Sequence, residues 1–422
     1  MTHSMSTFRV GLTAIALLGF SYSAGAQTAK APSAAPAPKH FQQDRFAIGF
    51  WVDPPADSQM GARYQEIADA NFTLVLGGFG ANWPETIERQ IPICGKFGLK
   101  VLTCSPNPEY QPEGDACWGY CLRDEPSASM FAELAKRVDA IRTAHPGKLA
   151  YINLLPNYAS PEQLGTETFD EYVSRFVSEV KPDVLSVDHY PLFKPGVADG
   201  RDNYCADLEV MRKYSLEAGI PFWNFFNCMP YGQHTDPTEA QLRWQVYTSL
   251  AYGAKGVLYF CYFTPLSPEF PKGGAIIGRD GKPTRHYDEA KRINAELKNL
   301  GPTLMKLTST GVHRITPDGD TAKELEVSPI KRLARADYDP KHDLLIGVFK
   351  HADGRRAVLI NNYHFAYTAW PTVEFDTDLS KIVEVDNATG KEVPVHDDSP
   401  EIEGLQVSLG AGEGRLFLIS DK

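Results

Sequence analysis

Two adjacent carboxylates, Asp124 and Glu125, end an apolar run that begins at Trp118, and Pro126 follows them. Acidic residues at such a place can simply cap a helix, because the amino end of a helix attracts negative charge. They can also do chemistry, because a carboxyl group that is partly desolvated beside another acid has a raised pKa and can protonate a leaving oxygen. Since neighbouring strand residues point to opposite faces, we expect at most one of the two side chains to enter a site. Glu125 is therefore predicted to be a general acid.

Other polar and aromatic side chains stand where further apolar runs end. Sugar rings stack their C–H faces on aromatic rings, and carboxylates and amides bind sugar hydroxyls, so this set indicates a carbohydrate site. Each aromatic taken alone is explained as well by core packing. The residues predicted to bind substrate are Trp51, Asp53, Asp124, Asn153, His189, Tyr190, Trp223, Asn227 and Tyr262.

Asp188, in the sequence Ser-Val-Asp-His-Tyr-Pro, is the candidate for a second catalytic carboxylate. If Glu125 and Asp188 lie two strands apart, their backbones are roughly 9–10 Å apart, since neighbouring strands are about 4.8 Å apart. Their carboxyl groups could then fall near the ~5 Å of retaining glycosidases or the ~6.5–9.5 Å of inverting ones. We favour the wider geometry, with Asp188 as the base that activates a water. In the alternative interpretation, Asp188 only hydrogen-bonds substrate or His189.

Other catalytic chemistries find less support in the sequence. The histidines, including His189, His234, His286 and His364, have no metal-ligand spacing, and we expect neither a metal nor another cofactor. The Gly-x-Ser-x-Gly elbow of serine hydrolases is absent from the sequence. A disulfide is expected among Cys104, Cys117 and Cys121.

The elements that must position these residues alternate along the chain. Strand-like runs are separated by amphipathic stretches, and two of these open with helix-start signals, at Pro161-Glu-Gln-Leu and Asp236-Pro-Thr-Glu-Ala. Eight such runs, apolar on both faces, predict a (β/α)8 barrel over residues 45–310, with its site at the carboxyl ends of the strands. The alternative is a doubly wound open sheet, but no Gly-rich phosphate loop follows the first run. The runs lie within residues 46–54, 72–78, 99–106, 118–126, 149–155, 183–191, 221–230 and 256–265.

The character of the sequence changes after residue 300. Short strand-like runs, including 335–340, 344–350 and 415–419, are separated by turn residues rather than by helices. They predict a small antiparallel β-sandwich over residues 311–422.

The amino terminus has the layout of a secretory signal. Arg9 precedes a short apolar stretch, and small residues lead to an Ala-Gly-Ala ending at Ala26. The stretch is shorter than the ~20 residues that span a bilayer, so we predict a signal peptide over residues 1–26 rather than an anchor. An Ala/Pro-rich linker over residues 27–44 would follow. The protein is therefore expected to be secreted or periplasmic.

The composition is that of a globular protein and excludes some partners. Of the 422 residues, 43% are hydrophobic and 23% are charged, and the formal net charge is −11. No basic run appears, so we expect no nucleic-acid partner. No segment after the signal is long and apolar enough to span a bilayer, so we expect no membrane span, and no oligomeric state is predicted.

Three segments together resemble clan-A glycoside hydrolases. Asp124-Glu-Pro is similar to the Asn-Glu-Pro in which these enzymes carry their acid/base Glu, and residues 274–298 are similar to the segment that follows the barrel in family 42 and related β-galactosidase-like enzymes. Residues 412–417 resemble the last strand of their small β-domains. The resemblance implies a TIM-barrel glycosidase with Glu125 as the acid/base.

The chain departs from that family at the seventh run. The resemblance implies a nucleophilic Glu there, but residues 222–230 contain Asn227 and no carboxylate. Asp188, Asp53 and Glu269 are the other carboxylates that could serve. The missing acid also leaves two alternatives to a hydrolase: a catalytically silent carbohydrate-binding protein, and a polysaccharide lyase with Tyr190 or His189 as base.

Overall fold

The computed structural model describes residues 40–317, 325, 329–334, 343–399 and 401–420. The predicted signal peptide, residues 27–39 of the predicted linker and the strand-like run 335–340 lie outside the described residues. No helix within the described ranges has the length and apolar character needed to span a membrane.

Strands and helices alternate from residue 47 to residue 304 as predicted, except between the third and fourth strands, where residues 104–116 form no helix. All eight predicted runs contain a strand, and both helix-start signals are confirmed, with Ser160 and Thr238 as the capping residues. A 3₁₀ turn at Ala128–Met130 and a π-helical turn at Phe176–Val180 flank two of the helices. The elements are β1 (Ala47–Phe50), α1 (Met60–Asp69), β2 (Leu74–Leu76), α2 (Pro84–Lys96), β3 (Lys100–Thr103), β4 (Cys117–Asp124), α3 (Phe131–Ala144), β5 (Leu149–Asn153), α4 (Pro161–Leu164), α5 (Phe169–Arg175), β6 (Leu185–Asp188), α6 (Arg201–Ala218), β7 (Phe222–Asn227), α7 (Glu239–Ala251), β8 (Gly256–Phe260) and α8 (Arg285–Leu304).

The eight strands form two four-stranded parallel sheets. One has the order β1-β8-β7-β6 and the other the order β2-β3-β4-β5. Hydrogen bonds connect the sheets at both edges. Leu154, just after β5, donates its N–H to the carbonyl of Ser186 in β6 (2.8 Å), and Thr73, just before β2, donates to the carbonyl of Ile48 in β1 (2.9 Å).

One face of both sheets packs into a single apolar cluster that includes Trp118, Tyr151 and Trp223. The Trp223 ring is fully buried and lies 6.3 Å from Trp118 and 5.8 Å from Tyr151. Its indole N–H donates to Gln43 (2.9 Å), so the end of the predicted linker packs against this cluster. The ring of Trp223, which is predicted to bind substrate, is therefore used in core packing.

Antiparallel sheets follow α8. Six strands are ordered β15-β14-β17-β12-β11-β9 and three are ordered β10-β13-β16. Side chains of both sheets share an apolar core, in which Phe375 and Phe417 are 5.9 Å apart. The strands are β9 (Leu307–Ile315), β10 (Ile330–Ala334), β11 (Leu344–His351), β12 (Arg356–Asn362), β13 (Thr372–Phe375), β14 (Ile382–Val385), β15 (Glu392–Pro394), β16 (Leu405–Gln406) and β17 (Gly414–Ile419), with a 3₁₀ turn at Leu379–Lys381.

The disulfide expected among three cysteines joins Cys104 to Cys121, with Cα atoms 4.9 Å apart. Cys104 follows β3, and Cys121 lies in the neighbouring β4. Cys117 is buried as a free thiol.

Candidate active site

A cavity of about 480 Å³ opens where the strands of both parallel sheets end. Its wall combines carboxylates with aromatic rings, which is the composition that the sequence predicts for a carbohydrate site. Six predicted residues lie there, together with Glu269. The lining residues are Trp51, Val52, Phe79, Asp124, Glu125, Asn153, Asp188, Tyr190, Phe225, Tyr231, Phe260, Pro265, Ser267, Glu269 and Phe270.

Asp124 and Glu125 both line the cavity, contrary to the expectation that only one would enter it. Glu125 has a φ of +46°, a left-handed conformation that non-glycine residues adopt only with strain. The backbone therefore leaves the pleat at this residue, and the alternation of faces no longer applies. Its N–H still donates to the carbonyl of Asn153 (2.9 Å), which ties Glu125 to the neighbouring strand.

Asn153 holds two of the carboxylates in place. Its amide nitrogen donates to Asp188 (2.8 Å) and to Asp124 (3.2 Å). Its amide oxygen accepts a hydrogen bond from the Ser186 hydroxyl (3.0 Å), which in turn lies 2.8 Å from the hydroxyl of Tyr151. The amide of Asn153, predicted to contact substrate, is thus used to orient the acids.

Glu125 and Asp188 lie within hydrogen-bonding distance of each other. Burial, followed by the negative charges of Glu125 and Asp124, raises the pKa of Asp188 well above its usual value. Hydrogen bonds from Asn153 and Tyr190 only partly oppose this effect. The pKa of Glu125 is also raised, by restricted solvation and then by Asp124, although Glu125 is exposed to the cavity. The two ionisations therefore belong to the pair, and the pKa is raised more strongly at the more deeply buried Asp188.

Asp53, which is predicted to contact substrate, does not line the cavity. It is 1% exposed, and its carboxylate accepts hydrogen bonds from the backbone N–H groups of residues 79–81 at 2.8–3.0 Å. Burial raises the pKa of Asp53 to about 6, and those hydrogen bonds limit the rise. The preceding Val52 has a φ of +66°, which turns the chain at the end of β1 and separates Asp53 from Trp51.

Three further predicted residues are buried away from the cavity. The Nδ1 atom of His189 lies 2.5 Å from Asp207, and the two side chains form a buried pair. Asn227 is fully buried, and so is Tyr262, whose ring stacks on Phe50 at 4.5 Å. The structure thus places these three residues, which are predicted to bind substrate, away from the cavity wall. In each case the residue lies at or just after the end of a strand, as predicted, but its side chain does not point into the cavity.

Several aromatic residues of the cavity wall are not among the predicted site residues: Tyr231, Phe260 and Phe270. The direction of Phe260 is predictable from the sequence, because strand alternation places it on the same face as Leu258 and opposite Tyr259. Tyr259 indeed bonds outward, from its hydroxyl to Asn294 in α8 (2.9 Å). Tyr231 and Phe270 lie in loops, whose side-chain directions no periodicity predicts. The hydroxyl of Tyr231 is buried without a hydrogen-bond partner among the described residues.

The described part of the chain holds no group of three or more His, Cys, Asp or Glu side chains arranged to bind a metal ion.

No protein-family model matches the chain, and no curated protein sequence does. Solved structures match it over most of its length. A catalytic mutant of Gan42B, a GH42 β-galactosidase from G. stearothermophilus, has a TM-score of 0.59 at 9% identity, covering 90% of this chain and 98% of that one. The β-galactosidase of Bacillus circulans sp. alkalophilus has a TM-score of 0.53 at 11% identity, covering 89% and 99%. These likenesses confirm at the level of the fold the resemblance to family 42.

A third β-galactosidase, from the psychrophilic Marinomonas ef1, is matched over only part of its length. The chain spans 60% of that protein, at 11% identity and a TM-score of 0.45.

Proposed function

We propose that this protein is a glycoside hydrolase that binds a carbohydrate in the cavity and cleaves it with Glu125 and Asp188. The observation that carries the proposal is a pair of carboxyl groups, both with raised pKa values, on the wall of a cavity lined with aromatic rings. Glycoside hydrolysis needs one protonated and one ionised carboxyl group beside the scissile bond. The two solved structures of similar fold are β-galactosidases, which supports this reaction class and makes an aryl β-galactoside the first substrate to try.

In the proposed reaction Glu125 donates its proton to the glycosidic oxygen as the C–O bond breaks. Asp188 takes a proton from the water that attacks the anomeric carbon. After the reaction Asp188 is therefore protonated and Glu125 is ionised. Glu125 is assigned as the acid because it is the member exposed to the cavity, whereas Asp188 is buried. One observation favours the reverse assignment: burial and the neighbouring acids raise the pKa of Asp188 well above its usual value.

The separation of the carboxyl groups bears on the stereochemistry. The side chains of Glu125 and Asp188 interact in the ligand-free structure, whereas glycosidases with bound substrate hold their two carboxyl groups ~5 Å or ~6.5–9.5 Å apart, so the separation used in the reaction is set when substrate and water bind. We keep the inverting assignment as the proposal. NMR of the first-formed anomer decides it, and retention would make Glu125, Asp188 or Glu269 a nucleophile.

The roles are tested with Glu125→Gln and Asp188→Asn. If Glu125 is the acid, Glu125→Gln lowers kcat on a natural glycan by about two to four orders of magnitude. The loss shrinks on aryl glycosides with an activated leaving group, since these need little protonation. Asp188→Asn is then severe for every leaving group. If instead the loss of kcat caused by Asp188→Asn shrinks on the activated aryl glycosides, the two roles are reversed. Near wild-type turnover by Glu125→Gln would contradict the assignment altogether.

A catalytically silent carbohydrate-binding protein is the second candidate. It is favoured by the end of β7, where the described chain places Phe225 on the cavity wall and no carboxylate. A glycan panel separates the candidates: reducing ends indicate hydrolysis, unsaturated products indicate a lyase, and binding without turnover indicates a binding protein.

We also propose that the two parallel sheets close into one (β/α)8 barrel and that the antiparallel sheets form a β-sandwich. The hydrogen bonds from Leu154 to Ser186 and from Thr73 to Ile48 support closure, as does the apolar cluster drawn from both parallel sheets. The shared apolar core of the antiparallel sheets supports the sandwich.

Secretion through a cleaved signal remains a proposal. The Cys104–Cys121 disulfide supports it, because structural disulfides persist mainly in oxidising compartments. Mass spectrometry of protein from its native host is expected to show a chain that begins after Ala26. An intact Met1 would contradict the proposal.

A further inference from the structure

The loop after β2, residues 77–83, is held rigidly against the end of β1. Asp53 accepts hydrogen bonds from the N–H groups of Phe79 (2.9 Å), Gly80 (2.8 Å) and Ala81 (3.0 Å). Gln90 of α2 donates a further hydrogen bond to the same carboxylate (3.3 Å). A side chain at Gly80 would collide with the backbone of Pro54, so the loop can approach this closely only with glycine there. Such a buried anchor fixes the direction in which the loop presents its side chains.

The loop presents Phe79 at the rim of the cavity. Its side chain is 54% exposed, and its ring makes an edge contact with Trp51 at 5.6 Å. Trp51 in turn makes an edge contact with the buried Phe225 at 6.0 Å. The three rings therefore form an aromatic wall that runs from the interior of the cavity to its rim.

Phe79 differs from Trp83, the other exposed aromatic residue of this loop, because Phe79 lines the cavity and its ring contacts Trp51. Phe79 and Trp51 together therefore extend the apolar wall of the cavity outward, where a ligand ring can pack against it. The carboxylates that would act on the scissile bond belong to β4 and β6, whereas Phe79 lies on the rim after β2.

We propose that Trp51 and Phe79 form a subsite for a second sugar ring, so that the ligand is an oligosaccharide of at least two rings that stacks on this wall. Asp53 is the positioning residue of the subsite, because it holds the backbone of Phe79. The inference rests on the proposed function. It adds the place at which a sugar ring of the substrate is bound away from the acids.

The test compares substrates of different length. With the glycan series that the wild type cleaves, kcat/KM is measured for a trisaccharide and for the matching 4-nitrophenyl monosaccharide, and their ratio is taken. Phe79→Ala should lower this ratio about tenfold, since losing an aromatic stacking contact has about that effect. Because Phe79 is exposed, we expect this variant to fold like the wild type. The matched control is Tyr367→Ala, an aromatic that is 71% exposed outside the cavity and should leave the ratio unchanged.

Asp53→Asn tests the positioning role. It should lower the same ratio through KM for the trisaccharide, with little change in kcat, and should increase hydrogen exchange at the amides of residues 79–81. Faster exchange with an unchanged ratio would reject the role of Asp53.

An unchanged ratio in Phe79→Ala would overturn the subsite while the hydrolase proposal stands. If the wild type cleaves no glycan and no aryl glycoside, the hydrolase proposal fails, and the subsite as proposed fails with it.

Discussion

The acids of the cavity differ in how much solvent and how much negative charge surrounds each of them. Asp188 is buried and faces both Glu125 and Asp124, whereas Glu125 is exposed to the cavity. The charges of these groups are coupled, so the first and second ionisations belong to the pair rather than to one residue. Because burial and repulsion raise both pKa values, the singly protonated pair persists to a higher pH than in isolated carboxylates.

This coupling predicts a bell-shaped pH dependence. The value of kcat/KM should rise with pH as the pair loses its first proton and fall as it loses the second. In Asp188→Asn the group with the more strongly raised pKa is gone, so the falling limb reports the ionisation of Glu125 alone and should move to lower pH. The residual activity on an activated aryl glycoside gives the profile, and NMR titration of the Glu125 carboxyl follows the ionisation directly. Asp398→Asn, at an exposed acid outside the cavity, is the control. A falling limb that stays in place would reject the coupling.

Two backbone angles, the φ angles of Val52 and Glu125, could not be predicted from the sequence. The positions of Trp51, Asp53, Asp124 and Glu125 at strand ends were predictable from the apolar runs that precede them. Their directions were not, because Val52 and Glu125 adopt left-handed conformations that local sequence does not favour. Strand alternation therefore fails at the ends of β1 and β4, where the candidate site is built.

At the scale of elements, the eight strands could be predicted because each is an apolar run bounded by turn residues. The loops could not, and they supply Tyr231 and Phe270 to the cavity wall. The loop that carries Tyr231 is fixed by a contact with α8 rather than by its own sequence. His286, near the start of α8, lies 2.9 Å from Asp236 of that loop and 2.7 Å from Glu289.

His286 is predicted to stabilise the fold most strongly at mildly acidic pH. Burial alone would lower its pKa, but the hydrogen bonds to Asp236 and Glu289 outweigh burial and raise it. The stability from a raised histidine pKa is full below the unfolded value of about 6.5 and is lost as pH rises through the folded value. Burial would raise the pKa values of Asp236 and Glu289, yet hydrogen bonds from His286 lower both, so their contribution is lost only at lower pH.

The measurement is Tm against pH for His286→Gln. The variant should lose about 1–3 kcal/mol at pH 5, since hydrogen bonds to charged groups contribute on that order. The loss should shrink by pH 9, where the wild-type histidine is neutral. His396→Gln, at an exposed histidine, serves as the control. A loss that is equal at both pH values would show that packing, not charge, is the contribution of His286.

At the scale of the whole molecule, negative charge dominates both the chain and the cavity. The formal net charge is −11. Four carboxylates, Asp124, Glu125, Asp188 and Glu269, line the cavity, and no Lys, Arg or His is among its described lining residues. Among the described residues, the wall of the cavity therefore offers no cationic side chain to bind a carboxylate or sulfate of an acidic glycan, and the net negative charge of the chain repels such ligands before they reach the cavity.

This distribution predicts selection for neutral over anionic sugars. We expect the 4-nitrophenyl uronide to have a kcat/KM at least about tenfold below that of the neutral glycoside of the same configuration, because charges a few ångströms apart in a partly desolvated site repel by more than about 1 kcal/mol. Added salt should raise kcat/KM for the uronide and leave the neutral substrate unchanged, since salt screens the repulsion. Glu269→Gln removes one exposed carboxylate and should narrow the difference between the two substrates. A uronide cleaved as well as its neutral counterpart, or a difference insensitive to salt, would show that shape rather than charge sets the specificity of the cavity.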